Sequence, residues 1–126
     1  MEFKNNQAIY LQIAEVICDR IILGDQAEEE RILSVRDLAV ELEVNPNTVM
    51  RAYDLLQARD IIVNKRGIGY FVAPDGKRAA LDLRKEEFME KELPRLFRMI
   101  HLLQLDPDSI WKQYEKYLKT LKTKAK

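Results

Sequence analysis

Ser34-Val-Arg-Asp-Leu-Ala-Val-Glu-Leu-Glu-Val-Asn-Pro-Asn-Thr-Val-Met-Arg-Ala-Tyr-Asp-Leu-Leu56 is the stretch whose reading decides the fold of this 126-residue chain. Ser34-Val-Arg-Asp37 is a helix-start signal: the hydroxyl can accept from the amide three residues on, and the acid there can reach back. Val35, Leu38, Ala39 and Leu42 make a short apolar face, which predicts a helix over about residues 34–43. Val44-Asn-Pro-Asn-Thr48 reads as a turn. Asn45 is a good N-cap, and Pro46 at the first helical position gives up only a donor that has no helical partner anyway. Val49, Ala52, Tyr53, Leu55 and Leu56 form the packed face of the second helix, while Asn47, Thr48, Met50, Arg51 and Asp54 fall largely elsewhere on the wheel. Two helices joined by so short a turn make a helix-turn-helix.

Working outward, Ile9, Ile13, Val16, Ile17 and Ile21 recur at helical spacing and predict a helix over about 7–23, stopped by Gly24. Its carboxylates read as a solvated face. Asp25-Gln-Ala-Glu-Glu-Glu-Arg31 has no apolar period and reads as an exposed loop. After Asp60 the period changes: Ile61-Ile-Val-Asn64 and Gly69-Tyr-Phe-Val-Ala73, with Lys65-Arg-Gly-Ile68 between them, predict a short β-hairpin. Pro74-Asp-Gly76 closes the unit. From Leu83 to Leu105 the pattern is helical again, with Pro94 inside to kink or restart the helix. Asp106-Pro-Asp108 then caps a last helix whose face is Ile110, Trp111, Tyr114, Tyr117, Leu118 and Leu121. The expected fold is mainly α with a small β-hairpin: a winged helix-turn-helix domain over residues 1–76 and a helical dimerisation region over 77–126.

Such an arrangement suits DNA, because the second helix of the motif enters a major groove with its first residues at base edges. Asn47 and Thr48 are short hydrogen-bonding groups at that helix start, and Arg51 lies one turn along. Backbone amides near Asn47 and Thr48, with the helix dipole behind them, would favour a phosphate; plain capping is the other reading of these two residues. Arg36 sits in the first turn of its helix, where a cation opposes the dipole. That points to a functional role, against the alternative of pairing with Asp37 or Glu41. Lys65, Arg66 and Gly67 make a cationic hairpin tip that is either solvated or set against DNA, and Gly67 and Gly69 allow a tight turn or a close backbone approach.

Leu33-Ser-Val-Arg-Asp-Leu-Ala39, Val44-Asn-Pro-Asn-Thr-Val49, Arg51-Ala-Tyr53 and Arg66-Gly-Ile-Gly-Tyr-Phe-Val72, in this order and spacing, resemble the DNA-binding domain of GntR-family bacterial transcription regulators. The short tail is similar to that of the YtrA-type subfamily. The resemblance implies a homodimer on a palindromic double-stranded DNA operator, usually acting as a repressor, and regulation of a neighbouring transporter operon. It also implies that Ser34, Arg36, Asn45, Pro46, Asn47, Thr48, Arg51, Arg66, Gly67 and Gly69 lie around DNA; Lys65 joins them from the residue reading. The chain departs from the family pattern in having Leu33 where a proline is usual, Asp60 where a glycine is common, an acidic 25–31 loop, and Met50 where many relatives carry a basic residue.

Two amphipathic helices cannot hide both apolar stripes alone. Phe88, Leu93, Leu96, Phe97, Ile100, Trp111, Tyr114 and Leu118 are therefore expected to pack against the same residues of a second subunit. A groove there holding a small effector is the other reading of the aromatic stripe. His101 reads as a polar residue of this interface and Cys18 as inert packing.

Charge and composition exclude much else. The 21 basic and 21 acidic side chains cancel, yet residues 44–78 carry six basic and three acidic groups while residues 1–43 carry four and ten. Distribution rather than net charge bears on a polyanionic partner. The Lys-rich stretch 112–126 reads as a solvated helix end or as an auxiliary phosphate contact. One cysteine and one histidine exclude an intrachain disulfide, a thiolate zinc cluster and a two-histidine metal site, so no metal or cofactor is expected. No nucleophile elbow or phosphate-binding glycine loop is present, which argues against an enzyme. No apolar run is long enough to cross a membrane, and Met1-Glu-Phe-Lys-Asn-Asn-Gln7 lacks a secretion-signal layout, so the expectation is a cytoplasmic protein. The residues alone leave a winged-helix protein-interaction module as the competing function.

Overall fold

A computed structural model describes residues 7–124 of the chain. Most of the N-terminal stretch read for a secretion signal, and residues 125 and 126 of the Lys-rich tail, lie outside the described residues. The chain divides into two compact units, Met1–Glu86 and Glu87–Lys126. The first contains α1 (Ile9–Ile22), α2 (Val35–Leu42), α3 (Pro46–Ala58), β1 (Ile62–Lys65), β2 (Gly69–Val72) and nearly all of α4 (Gly76–Glu87).

Its core is built from the periodic positions. Ile13, Ile17 and Ile21 of α1 meet Leu38 and Leu42 of α2, Val49, Tyr53 and Leu56 of α3, and Ile61, Ile62 and Val72 of the hairpin. Leu55 is only half-buried. The stripe of α1 is rotated from the expected one: Ile9 is exposed and Gln12 is buried, where its amide donates to the Gln7 carbonyl at 2.9 Å. The carboxylates of α1 are not simply solvated, because Arg84 of α4 lies 3.4 Å from Glu15 and 3.0 Å from Asp19. These pairs are partly exposed and contribute little each, but they register α4 on α1.

Both helix starts of the central motif form as the residues direct. Ser34 Oγ accepts from the Asp37 amide at 3.1 Å, and Asn45 Oδ1 accepts from the Asn47 amide at 2.8 Å, with Pro46 at the start of α3. Between them Glu43 takes the left-handed conformation at φ 56°, and the Val44 amide reaches back to the Ala39 carbonyl at 3.0 Å. That closes α2 and aims the chain into α3 within three residues.

The hairpin pairs Ile62 with Val72 and Lys65 with Gly69, and Gly67 at φ 79° makes the turn. The acidic 25–31 stretch has exposed side chains, but its end is not free backbone. The Glu29 amide donates to Val72 O, the Val72 amide to Glu30 O and the Ile32 amide to Tyr70 O, each at 2.9 Å. The last residues of the loop therefore run alongside β2, satisfying an edge that a two-stranded ribbon would leave open.

The helix expected from Leu83 begins seven residues earlier, at Gly76, and the first turns of α4 belong to the winged unit. Gly76, Ala80 and Leu83 are buried. A Cβ at position 76 would lie 2.7 Å from both the Ile61 carbonyl oxygen and Val72 Cγ1. Glycine is thus required where α4 crosses the hairpin base, and periodicity cannot show that.

In the second unit a π-helical turn, Phe88–Glu92, precedes α5 (Leu93–Leu102), followed by α6 (Pro107–Lys124). The Leu93 amide bonds to Phe88 O, five residues back. Pro94, with no N–H to give and a ring that crowds the preceding turn, follows directly and restarts the helix. Asp106 Oδ1 caps α6 by accepting from the Asp108 amide at 3.1 Å. Among the described residues no helix is long and apolar enough to cross a membrane, and no cluster of metal-ligating side chains occurs.

Two measurements test this packing. Gly76→Ala is expected to lower unfolding free energy by about 1–3 kcal/mol in urea titrations, because the hairpin base must shift. Tyr53 is almost completely buried, and desolvation holds its hydroxyl protonated well above the ordinary phenol range. The unfolded chain ionises that group first, near pH 10, so stability falls as pH rises past that value. The fall between about pH 9 and 11 is expected to be shallower in Tyr53→Phe.

Candidate nucleic-acid interface

Tyr53 organises the surface that the sequence points to. Its side chain enters the core from α3, and its hydroxyl donates to the Leu33 carbonyl at 2.6 Å, immediately before the α2 cap. The Tyr70 ring from β2 stands edge-on to it at 4.8 Å between centroids, and the Tyr70 hydroxyl donates to Met50 Sδ at 3.9 Å. The start of α2, the middle of α3 and the second wing strand therefore converge. Ser34 and Arg36, Asn47 and Arg51, and Gly69 are carried by these three elements.

Asn47, Met50, Arg51 and Asp54 are exposed on α3, opposite the buried Val49, Ala52 and Leu56; Thr48 is half-buried. Arg51 is not a loose side chain. Its guanidinium carbon lies 4.2 Å from the centre of the Tyr10 ring on α1, which fixes the cation at the exposed edge of α3. Arg36 is exposed and makes no ion pair among the described residues. Glu41, one of the two acids that could have neutralised it, pairs instead with Arg20 at 3.1 Å.

The expected amide site for a phosphate at the start of α3 is corrected. The Asn47 amide is held by Asn45 Oδ1, the Thr48 and Val49 amides by the Asn45 carbonyl at 3.0 and 3.3 Å, and Pro46 has no N–H. Asn45 and Pro46 shape the turn, and the helix dipole remains, but the first-turn amides are already engaged. Side chains rather than backbone face solvent here.

On the wing, Arg66 and Gly67 lie at the exposed tip, while the Lys65 ammonium sits 4.3 Å from the Phe71 ring centre. Gly69, at φ 143°, has Arg31 across it: a Cβ there would fall 3.0 Å from Arg31 Nε. Arg31 is the cation that sequence reading missed, hidden in an acidic loop with no period. Its bridge partner Phe71 places it beside β2.

In the second unit, Phe88, Leu96, Phe97, Trp111, Tyr114 and Leu118 are exposed and Leu93 and Ile100 half-buried, with Trp111 60% accessible. Phe97, Ile100, His101, Gln104, Leu105 and Pro107 line an open groove of about 570 Å³. His101 and its neighbours thus face solvent in the single chain.

Comparison with known proteins agrees with this geometry. The family described as bacterial regulatory proteins, gntR family, matches residues 9–72. A crystal structure of a GntR-family transcriptional regulator from Bacteroides thetaiotaomicron is similar over 90% of this chain and 99% of that one, with 47% identity and a TM-score of 0.73. The HTH-type transcriptional regulator YhcF of Bacillus subtilis is 36% identical over 72 residues, which cover 57% of this chain and only 60% of YhcF. The HTH-type transcriptional repressor YtrA of the same organism is 29% identical over 98 residues, 78% of this chain and 75% of YtrA. These relatives are transcription regulators, not enzymes.

The stacked pair can be measured directly. A double-mutant cycle of Tyr10→Leu and Arg51→Ala is expected to give a coupling of about 0.5–1 kcal/mol in urea unfolding, with Tyr10→Phe retaining it.

Proposed function

This chain belongs to the gntR family of bacterial regulatory proteins, and from that premise we propose that it is a sequence-specific DNA-binding repressor. It acts in the cytoplasm as a homodimer on an inverted-repeat operator. The observation that carries this reading is the exposed face of α3, polar and cationic through Asn47 and Arg51, beside an α2 whose Arg36 has no ion-pair partner among the described residues. A solvated helix gains nothing from a cation in its first turn, where it opposes the dipole; a phosphate against Arg36 reverses that sign.

Asn47 and Arg51 are the base-edge candidates. Asparagine matches the adenine N6 and N7 pair and arginine the guanine O6 and N7 pair. Arg36, Lys65 and Arg66 are the backbone contacts, with Arg31 beside the wing as a further cation. The apolar faces of α5 and α6 support the dimer, since a second copy hides Phe97, Trp111 and Tyr114 from water. Two linked half-sites then supply the affinity that one small winged unit lacks. Occupancy of promoter DNA by such a dimer represses by exclusion, in keeping with the name of the similar YtrA.

Selection of bound duplexes from randomised DNA by the purified chain tests this reading. The expected result is an inverted repeat with half-sites about one helical turn apart. Arg36→Ala and Arg51→Ala should each lose about ten- to a hundredfold affinity with dimer mass unchanged. The melting temperature should stay put in Arg36→Ala and fall by only a few degrees in Arg51→Ala, which loses the Tyr10 contact. With Arg36, Lys65 and Arg66 from two subunits on phosphates, log affinity should fall with log salt at a slope of about −5. No recovered motif, and arginine variants that bind like the parent, would point instead to a protein-interaction module.

A further inference from the structure

We propose that Met50 reads the C5-methyl group of a thymine, making it a specificity-determining residue of the recognition helix. The inference rests on the DNA-binding reading above and adds the chemistry of one base.

Met50 is 39% exposed and lies on the outer face of α3 between Asn47 and Asp54, one turn away on either side, with Arg51 beside it. It is the apolar residue in an otherwise polar stripe, and the core beneath is filled by Val49, Ala52, Tyr53 and Leu56 without it. The core does not call for an apolar side chain at that place. A thioether has no proton to donate, so it cannot hold a phosphate or the acceptor edge of guanine, and it is at most a weak acceptor for the amino groups of adenine or cytosine. The major-groove edge that offers an apolar group is that of thymine, through its C5-methyl.

A free methionine has three rotatable side-chain bonds and would lose that freedom on binding. Here the sulfur is already engaged. The Tyr70 hydroxyl contacts Sδ at 3.9 Å, the Tyr70 ring is set against Tyr53, and Tyr53 is anchored to the Leu33 carbonyl. This succession of contacts runs from the core to the outer face of α3. It biases the thioether toward this arrangement before DNA arrives, which lowers the ordering cost of contact.

The test uses the full-length chain and the inverted-repeat duplex recovered by selection, with each thymine replaced in turn by deoxyuridine, a change that removes only the methyl. The expected result is one thymine per half-site whose replacement weakens binding about fourfold, the factor to which about 0.8 kcal/mol per buried methyl converts, and about fifteenfold when both halves are replaced. Met50→Leu should keep the difference between thymine and deoxyuridine, and Met50→Ala should abolish it while still binding the duplex. Insensitivity of the parent to every replacement, or a sensitivity that survives in Met50→Ala, would overturn the proposal and leave the DNA-binding reading standing. Failure to recover any sequence-specific duplex would bring down that reading, and this proposal with it.

Discussion

Tyr53 is the residue on which the first unit turns. A phenol buried this completely must find a partner for its hydroxyl, because an unpaired one in an apolar interior costs about 1–3 kcal/mol. It finds the Leu33 carbonyl, in the segment that leads into α2. One side chain thereby fixes α3 against the start of α2, while its ring receives Tyr70 from the wing. The separation of duties along α3 follows. Val49, Ala52, Tyr53 and Leu56 hold the helix down, and Asn47, Met50, Arg51 and Asp54 have no role in the core. A helix built this way presents a rigid outer face whose residues can change without unfolding the domain, which is what a family of readers of different sequences needs.

The cations of the unit differ in how they are held. Arg20 and Arg84 sit in partly exposed ion pairs that fasten α1 to α2 and to α4. Arg51 and Lys65 instead lie over aromatic rings, which orient a cation without neutralising it. Arg36 has no ion-pair partner among the described residues. On the proposed reading, positive charge that no ion pair among the described residues takes up on α2, α3 and the wing reconciles a formal net charge of zero with a polyanionic partner.

Much of this was legible in the residues. Short-range rules govern the cap at Ser34, the Asn45-Pro46 turn, the hairpin and the cap at Asp106, and each acts through atoms within a few residues of one another. What escaped depends on contacts distant in sequence. The pairing of residues 29–32 with β2 is backbone chemistry without a side-chain period, and the Arg31 packing over Gly69 follows from it. The early start of α4 turns on Gly76 meeting Ile61, which reads in sequence as a loop glycine. The supposed free amides of α3 failed for a local reason: the same asparagine that marks the helix start also occupies its donors. The candidate site was legible as a set of residue types, while the contacts of Arg51 with Tyr10 and of Met50 with Tyr70 required the fold.

The most direct measurement is a crystal structure of the chain bound to a duplex carrying its selected inverted repeat. The expected result is a two-fold dimer with the first turns of α3 from each copy in successive major grooves, Asn47 and Arg51 at base edges and Arg36 on a phosphate. A complex in which α3 stays in solvent, or in which the duplex lies against another surface with Arg36 unengaged, would contradict the assignment of this face to DNA.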